Sequence, residues 1–218
     1  MRFFTNLSIP SFFFLLISYS TLARAARFDI INNCAQTATA VPVGGRQLDH
    51  GQTCSLDVPA GTKAARIWAR TSCHFDGARR GSCETGDCAT SVLGLREAPN
   101  MLAEFSLSQH MNREFIDISL VDGFNHRMEF SSTSGGCNRV IRCTAEHAIG
   151  QCPAMLKAPG GTVFHTNEYC CDSGPCGPTP YSRYFKQRCP DAYNYPKDDT
   201  ATKACPGGAN YEVVFCPR

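Results

Sequence analysis

A mainly β fold, a sandwich or flattened barrel carrying a disulfide-rich lobe, is predicted by three observations. Short strand-like runs separated by Gly, Pro, Asn and Asp fill residues 26–143. All 14 cysteines lie beyond an N-terminal apolar segment, at Cys34 and later. From about residue 144 to 189 the strand pattern gives way to five cysteines amid Pro and Gly, the composition of loops held by covalent links.

The apolar opening reads as a secretory signal over residues 1–25. Arg2 supplies the positive start, Phe12 to Ile17 the apolar core, and Ala23-Arg24-Ala25 the cleavage site. The run is too short for the roughly 20 residues of a membrane-spanning helix. Taking Arg2 and Arg24 from the 21 basic residues leaves 19 against 19 acidic ones, a mature net charge of zero. That balance argues against nucleic acid or an anionic membrane as the main partner. The secretory context predicts disulfides, and the even cysteine count allows full pairing without prescribing it. Zinc spacing is absent: no CxxC occurs and Cys170-Cys171 are adjacent. The six histidines are scattered at no metal-like spacing, so neither a metal nor a cofactor is expected. No N-glycosylation sequon follows the signal.

Strand faces follow from alternation. Phe28–Asn32 opens the chain. In the run to Arg70, Ala65, Ile67 and Ala69 share one face, and Arg66, Trp68 and Arg70 the other. In Phe115–Leu120, Ile116, Ile118 and Leu120 oppose Phe115, Asp117 and Ser119; Tyr211–Phe215 reads as a last strand. A short helix is predicted after Thr179 as cap and Pro180 in the first turn, with Tyr181, Tyr184, Phe185 and Arg188 on one face.

Ordered motifs along nearly the whole mature chain resemble the plant thaumatin-like family, in its pathogenesis-related, osmotin- and zeamatin-like branch. Gly81-Ser82-Cys83-Glu84-Thr85-Gly86-Asp87-Cys88 matches the core of the family signature. Around it stand ARIWART from residue 65, LAEFSL from 102, DISLVDGFN from 117, YCCDSGPCGPT from 169, the segment from Tyr181 to Asp199, and NYEVVFCPR from 210. The resemblance implies a thaumatin-like flattened β-sandwich from residues 26–72, 102–143 and 190–218. It further implies a disulfide-rich domain with a short helix at 144–189 and a small disulfide-held loop domain at 73–101.

By the same resemblance, Cys34–Cys216, Cys73–Cys83, Cys137–Cys205, Cys143–Cys189 and Cys171–Cys176 pair. The family's partner of Cys88 is missing, and a short stretch bearing two cysteines is lost after Gly160-Gly161. Cys152 and Cys170, both orphaned by that loss, are expected to pair with each other. Cys54 stands where relatives have Trp or Ser. Whether Cys54 meets Cys88, stays a reactive thiol or joins two chains is left open; a monomer is the expectation. Two further departures stand out. Gln36 to Ala40 replaces the family's aromatic-Trp segment, and His126-Arg127 replaces an apolar residue and Pro, adding positive charge beside the cleft.

In the family an arginine and four acidic residues line a cleft. The matching positions are Arg66, Glu104, Asp117, Asp122 and Asp198, with Asp199 adjacent. Catalysis, sugar binding and a structural ion pair are the three readings of that set. For glycoside hydrolysis Glu104 is the expected acid and Asp117 or Asp122 its partner, at about 5 Å for retention or roughly 6.5–9.5 Å for inversion. Phe124, Tyr181, Tyr184 and Tyr193 are candidate cleft aromatics, with core roles as the competing reading. The resemblance implies an apoplastic antifungal defence protein that engages β-1,3-glucan or the fungal wall or membrane surface. The alternatives are an inhibitor of a foreign xylanase, protease or α-amylase, and a weak endo-β-1,3-glucanase.

Overall fold

The computed structural model describes residues 25–35, 38–41, 45–77, 81–86, 100–145, 151–154 and 177–218. Two sheets of strands, one α-helix and a short 3-10 turn (His110–Asn112) make up their regular structure. The first sheet joins β1 (Ala26–Asn32), β4 (Thr53–Val58), β9 (Met128–Ser132), β10 (Val140–Cys143) and β12 (Tyr211–Phe215) in the order β10-β9-β12-β1-β4. The second joins β2 (Ala38–Val41), β3 (Arg46–Leu48), β5 (Ala65–Phe75), β7 (Leu102–Ser106), β8 (Arg113–Ser119) and β11 (Lys203–Pro206) in the order β11-β8-β7-β5-β2-β3. β6 (Gly81–Thr85) pairs with the far half of β5. Among the described residues no helix is long and apolar enough to cross a membrane.

Alternation decides which face each strand buries. In β1, Ala26, Phe28, Ile30 and Asn32 are buried while Arg27 is exposed. β1 lies parallel to β12, with Phe28 opposite Tyr211 and Ile30 opposite Val213. In the second sheet Ile67, Ala103, Phe105, Ile116 and Ile118 point the same way, inwards. The two inner faces meet where the Phe28 ring sits 4.4 Å from that of Phe105 and 5.0 Å from that of Tyr211. Full burial of side chains of this size contributes about 1.5–3 kcal/mol each. Glu114 is an acid buried on the inner face of β8. Its carboxylate accepts hydrogen bonds from the Tyr211 hydroxyl and the Gly208 amide, so the buried charge is satisfied by two donors.

β5 runs past the segment that alternation marks, to Phe75, because Ser72 at φ 50° bends it and β6 supplies a new partner. Cys73 stands opposite Cys83 in that pairing, and the bridge between them closes it. Gly86 follows at φ 66°, where a Cβ would lie 2.5 Å from the Ala69 carbonyl oxygen; its own carbonyl accepts from Trp68 Nε1 at 2.8 Å. Only glycine fits both the left-handed backbone and that approach.

The helix α1 (Pro180–Arg188) forms where its cap signal stands. Thr179 Oγ1 accepts from the Ser182 amide at 3.1 Å, and Ser182 Oγ accepts from the Thr179 amide at 2.8 Å. Phe185 is buried and stacks 6.5 Å from Phe124, while Arg188 lies 3.6 Å over the Tyr184 ring.

Four bridges close among the described residues, Cys34–Cys216, Cys73–Cys83, Cys137–Cys205 and Cys143–Cys189, each a pair that the family resemblance implies. Cys171–Cys176, Cys170 and Cys88 fall outside the described residues, which leaves the expected pairing of Cys152 there too. Cys54 forms no disulfide. It alternates with Leu56 and Val58 on the inner face of β4 and packs against the core. An extra cysteine at this position therefore acts as a small, partly buried core residue.

Candidate functional site

Three adjacent strands of the second sheet carry the site on their outer face. The alternation that sends Ile67, Phe105, Ile116 and Ile118 inwards sends Arg66, Glu104 and Asp117 outwards. Register then aligns them: Arg66 of β5 opposes Glu104 of β7, and Glu104 opposes Asp117 of β8. The side chains form a row of cation, acid, acid across the strands, with directly opposed Cβ atoms about 4.5–5.5 Å apart. Beyond β8 the chain turns at Val121-Asp122, closed by a Gly123 amide bond to the Leu120 carbonyl of 3.0 Å. That turn swings Asp122 back over the same face.

The opposite wall comes from the segment after α1. Tyr193 exchanges backbone bonds with β8, donating to the Ile118 carbonyl and accepting from the Leu120 amide, both at 2.8 Å. The result is a cavity of about 360 Å³ lined by Arg66, Glu104, Asp117, Ser119, Val121, Asp122, Tyr193 and Pro196. Its size falls within the usual range for small-ligand sites.

Electrostatics divides the acids. Arg66 Nε donates to Glu104 Oε1 at 2.6 Å, with the side chains 45% and 27% exposed. The pKa of Asp117 is pushed up to about 7, first by burial, then by the Glu104 charge beside it, with Arg66 opposing. Its Oδ1 is buried and accepts no hydrogen bond. A carboxyl that holds its proton near neutrality is able to donate to a ligand oxygen or to act as a general acid. Of the two facing carboxyls, Asp117 has the surroundings that favour the proton, whereas Glu104 is ion-paired.

Four of the five expected cleft residues, Arg66, Glu104, Asp117 and Asp122, thus line one cavity. Asp198 does not line it. Its side chain is 4% exposed and accepts from Lys186 Nζ of α1 at 2.7 Å, from the Asn194 amide and from the Thr200 hydroxyl. These bonds make it a buried strut between the helix and the Tyr193 segment, away from a ligand. Of the candidate aromatics, Tyr193 lines the cavity; Phe124 is buried against Phe185. His126 and Arg127 are not among the lining residues either. His126 packs on the Cys34–Cys216 bridge, where burial lowers its pKa below the usual imidazole value. The expected positive charge beside the acids therefore does not come from this imidazole. Ser119 was legible as a neighbour of Asp117 on the same strand face. Pro196 was not, since only tertiary contact brings it there.

Comparison with known proteins agrees with this architecture. The model of the Thaumatin family matches residues 26–217. A thaumatin-like protein of Actinidia deliciosa is 56% identical over 227 residues, covering the whole of both chains. Among solved structures, a thaumatin-like xylanase inhibitor superposes with a TM-score of 0.51 at 24% identity, covering 87% of this chain and 99% of the other. Its likeness is one of fold. The family match over residues 26–217, with the full-length relative beside it, places this chain in the thaumatin family.

Proposed function

We propose that the protein is a secreted plant defence protein that binds β-1,3-glucan of fungal cell walls through the Arg66–Glu104–Asp117–Asp122 cavity. The observation that carries this reading is the row of Arg66, Glu104 and Asp117 on rigid strands, facing Tyr193 and Pro196 across one cavity. Sugars are recognised by planar polar groups that share their hydroxyls and by ring faces that stack on them. Carboxylates accept from sugar hydroxyls and Arg66 donates to ring or hydroxyl oxygens. Strand-borne side chains hold this arrangement with little ordering cost at binding.

A folded chain sedimented with insoluble β-1,3-glucan tests the reading. The wild type is expected to bind saturably and Glu104→Gln/Asp117→Asn to lose at least about tenfold in affinity, equivalent to about 1.4 kcal/mol. Absence of binding by the folded wild type contradicts it. The same acids permit slow hydrolysis, with Asp117 as proton donor, which predicts reducing ends released in proportion to protein.

Inhibition of a foreign xylanase is the second reading, supported by the same fold in a xylanase inhibitor. Exposed loops would carry that role. The Glu104→Gln/Asp117→Asn chain would then inhibit the xylanase as fully as the wild type does.

A further inference from the structure

The imidazole of His126 reaches both sulfurs of the bridge that ties the two ends of the fold. Its Nδ1 lies 3.9 Å from Cys34 Sγ and 3.8 Å from Cys216 Sγ. The three potential ligand atoms all fall within 4.8 Å of one another, with Cys34 buried and the other two half-buried. A tetrahedral zinc ion, with Zn–S near 2.3 Å and Zn–N near 2.0–2.1 Å, needs nitrogen-to-sulfur edges of roughly 3.6 Å and a sulfur-to-sulfur edge of roughly 3.8 Å. Two of the three edges already stand within a few tenths of an ångström of that requirement. The third is the covalent bond itself, and it opens when the bond is cut.

Each ligand is also held by bonds that do not depend on the bridge. The Cys34 amide donates to Asn32 Oδ1 at 3.0 Å, and its carbonyl contacts His50 Nδ1 at 3.0 Å. The Cys216 amide donates to the Arg127 carbonyl at 2.8 Å, at the end of the β1–β12 ladder. The His126 amide donates to Asn125 Oδ1 at 3.0 Å, and Asn125 is itself anchored on the Ala69 carbonyl and Thr85. These bonds hold the backbones that carry the three donors independently of the disulfide.

We propose that reduction of Cys34–Cys216 by a thiol reductant unmasks a zinc site formed by Cys34, Cys216 and His126, with water in the fourth position. A dithiol supplies two electrons and two protons. The Cys34–Cys216 bond breaks, each sulfur takes a proton, and the reductant closes to its own disulfide. Zinc then binds both sulfurs as thiolates and releases the two protons to solvent. Two sulfurs and one imidazole suit zinc better than the hard, oxygen-seeking cations. The metal would clip β1 to β12 where the disulfide had done so, keeping the termini joined under reducing conditions.

The test uses the mature chain, reduced with a water-soluble phosphine that competes weakly for zinc, and cobalt(II) as a spectroscopic probe. The expected results are thiolate-to-cobalt charge-transfer absorption with tetrahedral d–d bands, loss of both on adding zinc, and protection of Cys34 and Cys216 from alkylation by zinc. His126→Ala should weaken zinc binding at least about tenfold; if that variant fails to fold, His126→Asn replaces it, and the alkylation pattern of the wild type decides. A bridge that resists phosphine in the folded chain overturns the proposal. So do alkylation of Cys34 and Cys216 in the presence of bound zinc, and unchanged affinity in the folded His126 variant.

Discussion

Asp117 binds its proton far more tightly in the folded chain than an exposed aspartate does, because burial and the Glu104 charge both oppose ionisation. Its folded pKa of about 7 lies above the ordinary value of 3.8. The folded state therefore holds more protons than the unfolded chain between those values, and stability falls as pH rises through that window. The contribution is fully present below about pH 4 and lost by about pH 8. A difference of that size between folded and unfolded chains corresponds to at most about 4 kcal/mol, reduced by the solvent that reaches the open cavity. Asp117→Asn should remove this dependence, so that the variant gains on the wild type between about pH 5 and pH 8 in urea unfolding. Parallel stability profiles for the two chains would contradict the assignment. Alternation along 115–120 placed Asp117 on the outward face from sequence alone. The pairing of Glu104 with Arg66 was not legible, because it depends on the register of two strands 38 residues apart.

At the scale of elements, α1 is a lever that sets the second wall of the cavity. Thr179-Pro180 announced it in the sequence because a cap and a first-turn proline act locally. Removing the cap with Thr179→Ala should cost about 1 kcal/mol by urea denaturation. Lys186 was silent in the sequence, since the helix had first to dock before its ammonium met Asp198. Asp198 was read as a cleft residue for the same reason: position along a motif does not reveal burial. Lys186→Met leaves that carboxylate buried without its cation and should cost about 3–5 kcal/mol. Lys186→Met/Asp198→Asn should recover much of the loss, since neither uncompensated charge remains. Equal loss in the single and double variants, measured in the same denaturation series, would show that the ion pair is not what seats the segment. β5 likewise outran its sequence signal, because the bend at Ser72 breaks the alternation from which the strand was read.

For the whole molecule, the first and last strands lie side by side in one sheet, and Cys34–Cys216 joins them across 182 residues. In the chain-entropy model a loop of this length stabilises by up to about 5 kcal/mol, less where nested bridges already restrict the unfolded chain. Cys34→Ala/Cys216→Ala should accordingly lower the thermal midpoint by many degrees, while an unchanged midpoint would assign the termini no share in stability. The mainly β class was legible because the strand runs are short, alternating and separated by turn residues. The order of strands was not, since the parallel pairing of β1 with β12 is a contact between opposite ends of the chain. Four of the five cleft side chains were legible through family motifs, and their meeting in one cavity required the sheet. That cavity is tested most directly by calorimetric titration of the folded chain with a soluble β-1,3-gluco-oligosaccharide, alongside Glu104→Gln/Asp117→Asn. Saturable heat with one site per chain, abolished in the double variant, is the predicted result. No heat in the wild type, or equal binding by both chains, would contradict the cavity as a glucan site.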